Sequence, residues 1–341
     1  MHKYAHVGYP KAASTWLQVF LFPRHPDLCH LGRHTGDEIP DVDLRIALWN
    51  DLITRPPLLY QPDEVAGTFN RLFARAAETG ATACGISQEV LTLSMIGSVD
   101  ITERARRLRA AMGEDTRIII VIRNQLDWIR SVFCGLLREG GMPLGLDEFL
   151  FYFYYQQDQS PFCTLFYDDM YGLYVDLFGA ENVHIVPFEL IKQDARRFAA
   201  EICGAIGVRP LAEVPNQSIN ERPSPKALTA CLEYNRNNTF YFGANHFRRP
   251  MGFAAEPIFT KRLGVDPPRW MVEERQKSMF AFEKMESVVQ QTEKQGRTIS
   301  PMDTAFPAQY ETLLVNAYAP HNLGLTKLTR LDLGTLGYPL P

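Results

Sequence analysis

The chain has 341 residues, 46% hydrophobic and 22% charged, with 23 each of Gly and Pro. This is ordinary globular composition and excludes disordered, collagen-like and coiled-coil classes. The formal charge of −4 supplies no general basic field, so no nucleic-acid partner is expected and any anion site has to be built locally.

Six cysteines occur without a C-x-x-C pair and without clustering among the eight histidines, which implies neither a disulfide framework nor a zinc site and fits a reducing compartment. The apolar stretch from Ala12 to Phe22 contains Ser14, Thr15 and Gln18 and runs into Pro23-Arg24-His25-Pro26, a poor match to a secretory signal. No run reaches the roughly 18 apolar residues of a membrane span. A cytoplasmic protein is expected; nothing in the pattern fixes its oligomeric state.

In chain order, Lys3 to Gly8 is the first strand candidate. It stops at Gly8-Tyr9-Pro10, after which Leu17, Phe20 and Leu21 repeat at helical spacing. Asp63 to Thr79 reads as a helix, Thr82 to Ser87 as a strand and Thr102 to Met112 as a helix. Arg117 to Ile122 (RIIIVI) is the clearest strand, too uniformly apolar for a half-exposed sheet and suited to a parallel strand buried on both faces. Gln125 to Arg138, Tyr167 to Phe178 and Asp194 to Ile206 follow as helices, with Asn182 to Pro187 as a strand. Alternating strands and helices argue for an open parallel sheet covered on both sides, with ligands beyond the carboxyl ends of its strands.

Pro210, Pro215, Pro223 and Pro225 break any regular element after Gly207. An α/β core over 1–226 is therefore expected, followed by a mostly helical portion over 227–341, with helices at Ala227 to Arg236 and near Arg269 to Gln295. In the latter, Val272, Met279, Phe282, Met285 and Val289 share one stripe.

The first strand-turn-helix carries Gly8-Tyr9-Pro10-Lys11-Ala12-Ala13-Ser14-Thr15-Trp16-Leu17. A turn entering a helix N-terminus points main-chain N–H groups and the positive dipole end at one spot; Lys, Ser and Thr add a charge and two hydroxyls, so the place suits a phosphate. It is not a Walker A loop, because Lys11 lies inside the turn, three residues before Ser14, rather than directly before the Ser/Thr. Arg123 follows RIIIVI and Ser131 stands eight residues on; a guanidinium can grip a phosphate through two bonds and a hydroxyl can add a donor.

These residues resemble the phosphoadenosine phosphosulfate-dependent sulfotransferases, whose 5′-phosphosulfate loop reads approximately P-K-S/A-G-T/S-T/S-W/F-L and whose 3′-phosphate site is an Arg at a strand end with a Ser eight residues later. Ala13 stands where the family usually has Gly, and its methyl group calls for a turn that avoids positive φ. Asn182 to Glu189 looks like a later strand of the family, with Phe188 where cytosolic members often carry Tyr, and Leu331 to Pro339 resembles the tail of many bacterial members.

The resemblance implies a P-loop-like three-layer α/β/α fold. It further implies sulfuryl transfer from 3′-phosphoadenosine 5′-phosphosulfate (PAPS), leaving 3′-phosphoadenosine 5′-phosphate (PAP), to a hydroxyl or amine of a small molecule or glycan, with no metal in the core reaction. Lys11 then meets the leaving phosphate. Ala12, Ala13, Ser14, Thr15 and Trp16 complete the cofactor loop, with Trp16 either an adenine platform or a buried helix anchor. Arg222, in Asn220-Glu221-Arg222-Pro223, corresponds to a later loop over the 3′-phosphate.

For the proton acceptor the choice lies between Glu89, just past the strand ending at Ser87, and His30, His34 or Glu38 after the first helix. Phe149 to Tyr155 with Tyr167 and Tyr171 form an aromatic wall for core packing or for an acceptor. A small-molecule kinase and a nonenzymatic nucleotide-binding protein are the competing readings. Acceptor identity depends on pocket shape and is not encoded in any of these motifs.

Overall fold

The computed structural model describes residues 1–32, 39, 41–93, 99–138, 142–155, 164–215, 223–237 and 285–341, without the side chains of Tyr152, Phe153 and Tyr155. It contains a five-stranded, wholly parallel central sheet with flanking helices, as the alternating pattern requires. The strands are β1 (His2–His6), β2 (Leu28–His30), β3 (Ala83–Ser87), β4 (Arg117–Ile122) and β5 (Val183–Pro187), in the order β2-β3-β1-β4-β5. Four match the expected strands. β2 was not anticipated, because a three-residue edge strand is too short to show periodicity.

Register fixes what faces what. β1 pairs β3 with His6 opposite Ser87, and pairs β4 on its other side with His6 opposite Ile119. Pairing with β4 continues past the strand, where Val7 and Tyr9 donate their N–H groups to Ile119 and Val121. From β1 the chain builds β2 and β3 on one side, then crosses to build β4 and β5 on the other. The order therefore reverses beside β1, at the carboxyl ends of β1 and β4, which is where open α/β sheets bind ligands.

Residues Ile118–Ile122 are wholly buried, each branched side chain contributing about 2 kcal/mol of hydrophobic stabilisation. Around the sheet, the helix Pro62–Glu78 opens with Pro at its start and Asp63 and Glu64 in its first turn, and buries Val65, Phe69, Leu72, Phe73 and Ala76 on one stripe. Helix Ile101–Met112 is capped by the Asp100 side chain, which accepts from the Glu103 N–H at 3.0 Å. Helix Ala195–Ile206 is capped by Asp194 and ends at Gly207, whose φ of 81° suits only glycine without strain. That helix packs on β1, β4 and β5, while Tyr167–Phe178 packs on β4 and β5.

The chain divides into two compact units, neither one continuous stretch. The first (1–125, 158–219 and 315–341) holds the sheet. The second (126–157 and 220–314) is largely helical where described: Phe133 packs on Phe149 at 5.2 Å, and the Asn235 amide donates to the carbonyls of Leu137 and Met142, both at 3.0 Å. Within it, 285–294 is helical with Met285 and Val289 buried, while Val272, Met279 and Phe282 lie outside the described residues. Helices Leu146–Tyr155 and Ala308–Thr329 were not anticipated. No helix among the described residues is long and apolar enough to cross a membrane.

Candidate anion-binding site

Beyond β1, the main chain passes so close to its neighbours that Gly8 cannot carry a side chain: a Cβ there would sit 2.7 Å from both His6 Nε2 and the Val121 main-chain nitrogen. The turn then doubles back through two left-handed residues, Lys11 and Ala13, each with φ of 63°. The expectation that Ala13 forces the turn away from positive φ is thereby corrected. The backbone keeps the conformation glycine would favour, and the methyl group carries the strain, about 1–2 kcal/mol for an L-residue in this region.

From Ser14 the chain is helical. Ser14–Trp16 is α-helical, Leu17–Leu21 widens into a π-type turn and Phe22–Arg24 closes as a 3₁₀ turn. The Ser14 hydroxyl is buried and donates to the Tyr9 carbonyl at 3.1 Å, stitching the turn to the helix start. Ala12 is fully buried. Thr15 is half-buried. Trp16, 5% exposed, lies edge-on to Phe20 and Phe198, each 6.0 Å away; of its two expected roles, this packing is that of a buried helix anchor.

The turn is braced from beneath and from both sides. Ser87, ending β3, accepts from Gln18 Nε2 at 2.8 Å and shares a 2.7 Å hydrogen bond with His6 Nδ1; all three side chains are buried. Thr92 donates to the Gly8 carbonyl at 3.3 Å. The Tyr9 hydroxyl donates to the Thr164 carbonyl, and its ring meets Tyr167 edge-on at 5.1 Å. This polar set escaped sequence reasoning; the signal available was His6 and Ser87 standing inside otherwise apolar strand patterns.

Arg123 leaves the carboxyl end of β4 and donates through Nη1 to the Lys11 carbonyl at 2.7 Å. Its guanidinium lies 4.7 Å over the Phe188 ring, which Lys192 Nζ also approaches at 5.3 Å. The two sequence-predicted cationic residues thus meet at the sheet's topological switch point.

Glu89 is half-buried in the short turn Glu89–Thr92 beyond β3, at the same end of the sheet as Lys11. His30 ends β2, stacks on Tyr4 at 6.4 Å and shares a 2.9 Å hydrogen bond with the Tyr4 hydroxyl through Nδ1. Burial pushes its pKa from the ordinary 6.5 down to about 3, which makes it a poor proton acceptor at neutral pH. Ser131 is a half-buried residue of the helix Gln125–Arg138. Arg222, with Asn220 and Glu221, lies outside the described residues, as do His34 and Glu38. In the aromatic set, Phe149 is core, Phe151 is exposed and the Tyr167 hydroxyl donates to the Arg123 carbonyl at 2.6 Å.

Among the described residues, Asp168, Asp169 and His321 also converge, with His321 Nδ1 at 2.6 Å from Asp168 and 3.6 Å from Asp169. The close pair ties the helix Ala308–Thr329 to the start of Tyr167–Phe178.

No family model matches the chain, and no curated protein does. Among solved structures, the chain is similar to a sulfotransferase from Alicyclobacillus acidocaldarius, with 19% identity over 75% of this chain and 96% of that one and a TM-score of 0.46.

Proposed function

We propose that this chain is a sulfotransferase, using PAPS as donor and a hydroxyl or amine of a small molecule or glycan as acceptor. The observation that carries the reading is the hydrogen bond from Arg123 to the Lys11 carbonyl, which ties the Arg123 guanidinium to the main chain of the Lys11 turn although the two are distant in sequence. The donor set suits an adenylate phosphorylated at both ends: an ammonium in the turn, a helix start carrying the Thr15 hydroxyl, and a guanidinium at the adjoining strand end, while the Ser14 hydroxyl is spent on the Tyr9 carbonyl. The close approach at Gly8, where a Cβ would collide with the neighbouring main chain, seats that turn directly on the sheet.

When bound, PAPS supplies the sulfuryl group and leaves as PAP. Lys11 and the main-chain N–H groups opening the Ser14 helix offset negative charge growing on the 5′-phosphate, the kind of stabilisation worth about 3–4 kcal/mol per donor. Arg123 holds the 3′-phosphate and fixes the register of the donor. Glu89 takes the proton from the acceptor; the depressed basicity of His30 favours this choice over that histidine. Trp16 serves the cofactor loop indirectly, by anchoring its helix among Phe20 and Phe198.

Calorimetry with PAP tests the reading. Binding by the wild type that is abolished or strongly weakened in Arg123→Ala is expected, together with transfer from labelled PAPS that persists in EDTA. No binding by the wild type, or transfer that requires magnesium and ATP instead, overturns it.

A further inference from the structure

Arg123 is held by more than its guanidinium. The peptide group joining Arg123 to Asn124 is clamped at both ends: its carbonyl accepts from the Tyr167 hydroxyl at 2.6 Å, and its N–H donates to Glu189 Oε1 at 3.0 Å. The other oxygen of Glu189 accepts from the Tyr338 hydroxyl at 2.7 Å. Glu189 is only 9% exposed and Tyr338 3%, with the Tyr338 ring edge-on to Tyr167 at 6.5 Å. The clamp therefore closes on itself, each tyrosine packing on the other while they serve opposite ends of one peptide plane.

Tyr338 belongs to the segment 331–341, which has no place in the sheet yet is fastened at this point by two further hydrogen bonds. Asn124 Nδ2 donates to the Gly337 carbonyl at 2.5 Å, and Asn322 Nδ2 donates to the Pro339 carbonyl at 3.0 Å. Asn322 and Gln125 also exchange side-chain amide bonds of 2.6 and 3.1 Å, fixing the residue two beyond Arg123. A buried carboxylate with both oxygens engaged in this way is costly to leave half-satisfied.

We propose that Tyr338 and Glu189 are positioning residues for the Arg123 grip, so that the segment 331–341 aims the guanidinium at the 3′-phosphate of the nucleotide. This rests on the reading of the site given above. Burial, and next the charge of Glu189, raise the Tyr338 pKa well above the ordinary 10, so its hydroxyl remains a donor across the neutral range. Tyr167 is held protonated in the same direction, chiefly by burial. Two donors that never titrate near pH 7 make the clamp a fixed brace.

The test compares PAP with adenosine 5′-phosphate, which lacks only the 3′-phosphate, by calorimetry on the full chain. Tyr338→Phe keeps the ring and removes the hydroxyl. Glu189→Gln keeps the size but offers one acceptor where the carboxylate offers two. The expected result is a preference for PAP that falls about three- to tenfold in either variant, the scale of one lost hydrogen bond, with affinity for adenosine 5′-phosphate kept within about twofold. A merely structural role would weaken both nucleotides alike and leave their ratio intact, and that result overturns the inference. Should Tyr338→Phe not fold, Glu189→Gln decides; failure of both to fold also overturns it, because the pair then serves the fold alone. A wild type with no preference for PAP overturns instead the functional reading on which the inference stands.

Discussion

The guanidinium of Arg123 donates to the main-chain carbonyl of Lys11 at 2.7 Å, although 112 residues separate the two in sequence. One side chain thus has two tasks, steadying the left-handed turn and presenting positive charge beside it. Arg123→Ala is expected to lower PAP affinity about 10- to 100-fold, the range for losing one or two charge-assisted hydrogen bonds. Arg123→Lys should recover only part of this, because an ammonium lacks the planar fork that can serve the carbonyl and a phosphate together. Titration calorimetry measures both, and equal affinity in all three proteins would separate Arg123 from the nucleotide.

Ala13 has φ of 63° and ψ of 10°, a left-handed conformation in which its methyl group crowds the following carbonyl. Ala13→Gly removes a cost of about 1–2 kcal/mol in the folded state and adds roughly 0.5–1 kcal/mol of unfolded-chain freedom. The net expectation is a gain of up to about 1.5 kcal/mol in unfolding free energy, read from urea denaturation. Lys11 has the same φ, but replacing it would also remove the ammonium, so position 13 is where strain is separated from charge. A less stable Ala13→Gly protein would show that the methyl group is accommodated at no cost.

The legible parts of this molecule were those written in local pattern. RIIIVI could be read as a buried parallel strand because no solvent-facing alternation interrupts it, and the Lys11 turn because glycine, proline and hydroxyl residues crowd the step from strand to helix. The illegible parts depend on partners far away in sequence. Pro320 lies inside the helix Ala308–Thr329, where a proline ordinarily argues against helix, so that element was missed. Glu189 and Tyr338 meet across 149 residues, and neither carries a local signature of the other. Ala13 shows the opposite failure: a side-chain rule was applied where the backbone, fixed by the strand before and the helix after, kept its course.

His30 links the fold to pH. The folded protein holds its ring neutral down to a pKa of about 3, while the unfolded chain protonates near the ordinary 6.5. Between these values the unfolded state binds more protons, so the stability contributed above about pH 6.5 is lost as pH falls, by at most about 1.4 kcal/mol per pH unit, and is gone near 3. His184, whose pKa is lowered first by burial and then by Arg117, acts in the same direction. Urea unfolding between pH 7 and pH 4 should show a shallower decline in His30→Gln than in the wild type; equal slopes would mean that the ring protonates without unfolding.

Glu89 follows β3 and His30 closes the adjacent strand β2, where burial depresses the basicity of the histidine. Glu89→Gln preserves shape and is expected to lower turnover about 10²- to 10⁴-fold, the usual contribution of a positioned proton acceptor. His30→Gln should leave turnover within a few-fold. Steady-state turnover of the two variants is the measurement, and a Glu89→Gln protein within a few-fold of the wild type would move the proton to another residue.

Lys11 offers the sharpest separation of binding from chemistry. Lys11 is a left-handed residue three positions before the helix that starts at Ser14, whose positive dipole end favours the same negative charge as an ammonium does. An interaction that strengthens only as the bridging bond breaks lowers the barrier without tightening the ground state. Lys11→Met retains much of the side chain's apolar length and removes the charge, so PAP affinity should fall less than tenfold while the chemical step slows about 10²- to 10³-fold, as when one preorganised donor to a developing oxyanion is removed. Single-turnover transfer from labelled PAPS, compared with calorimetric affinity for PAP, reads the two effects separately. Equal losses in both would make Lys11 a uniform binder, and the growing charge would then have to be met by the helix N–H groups alone.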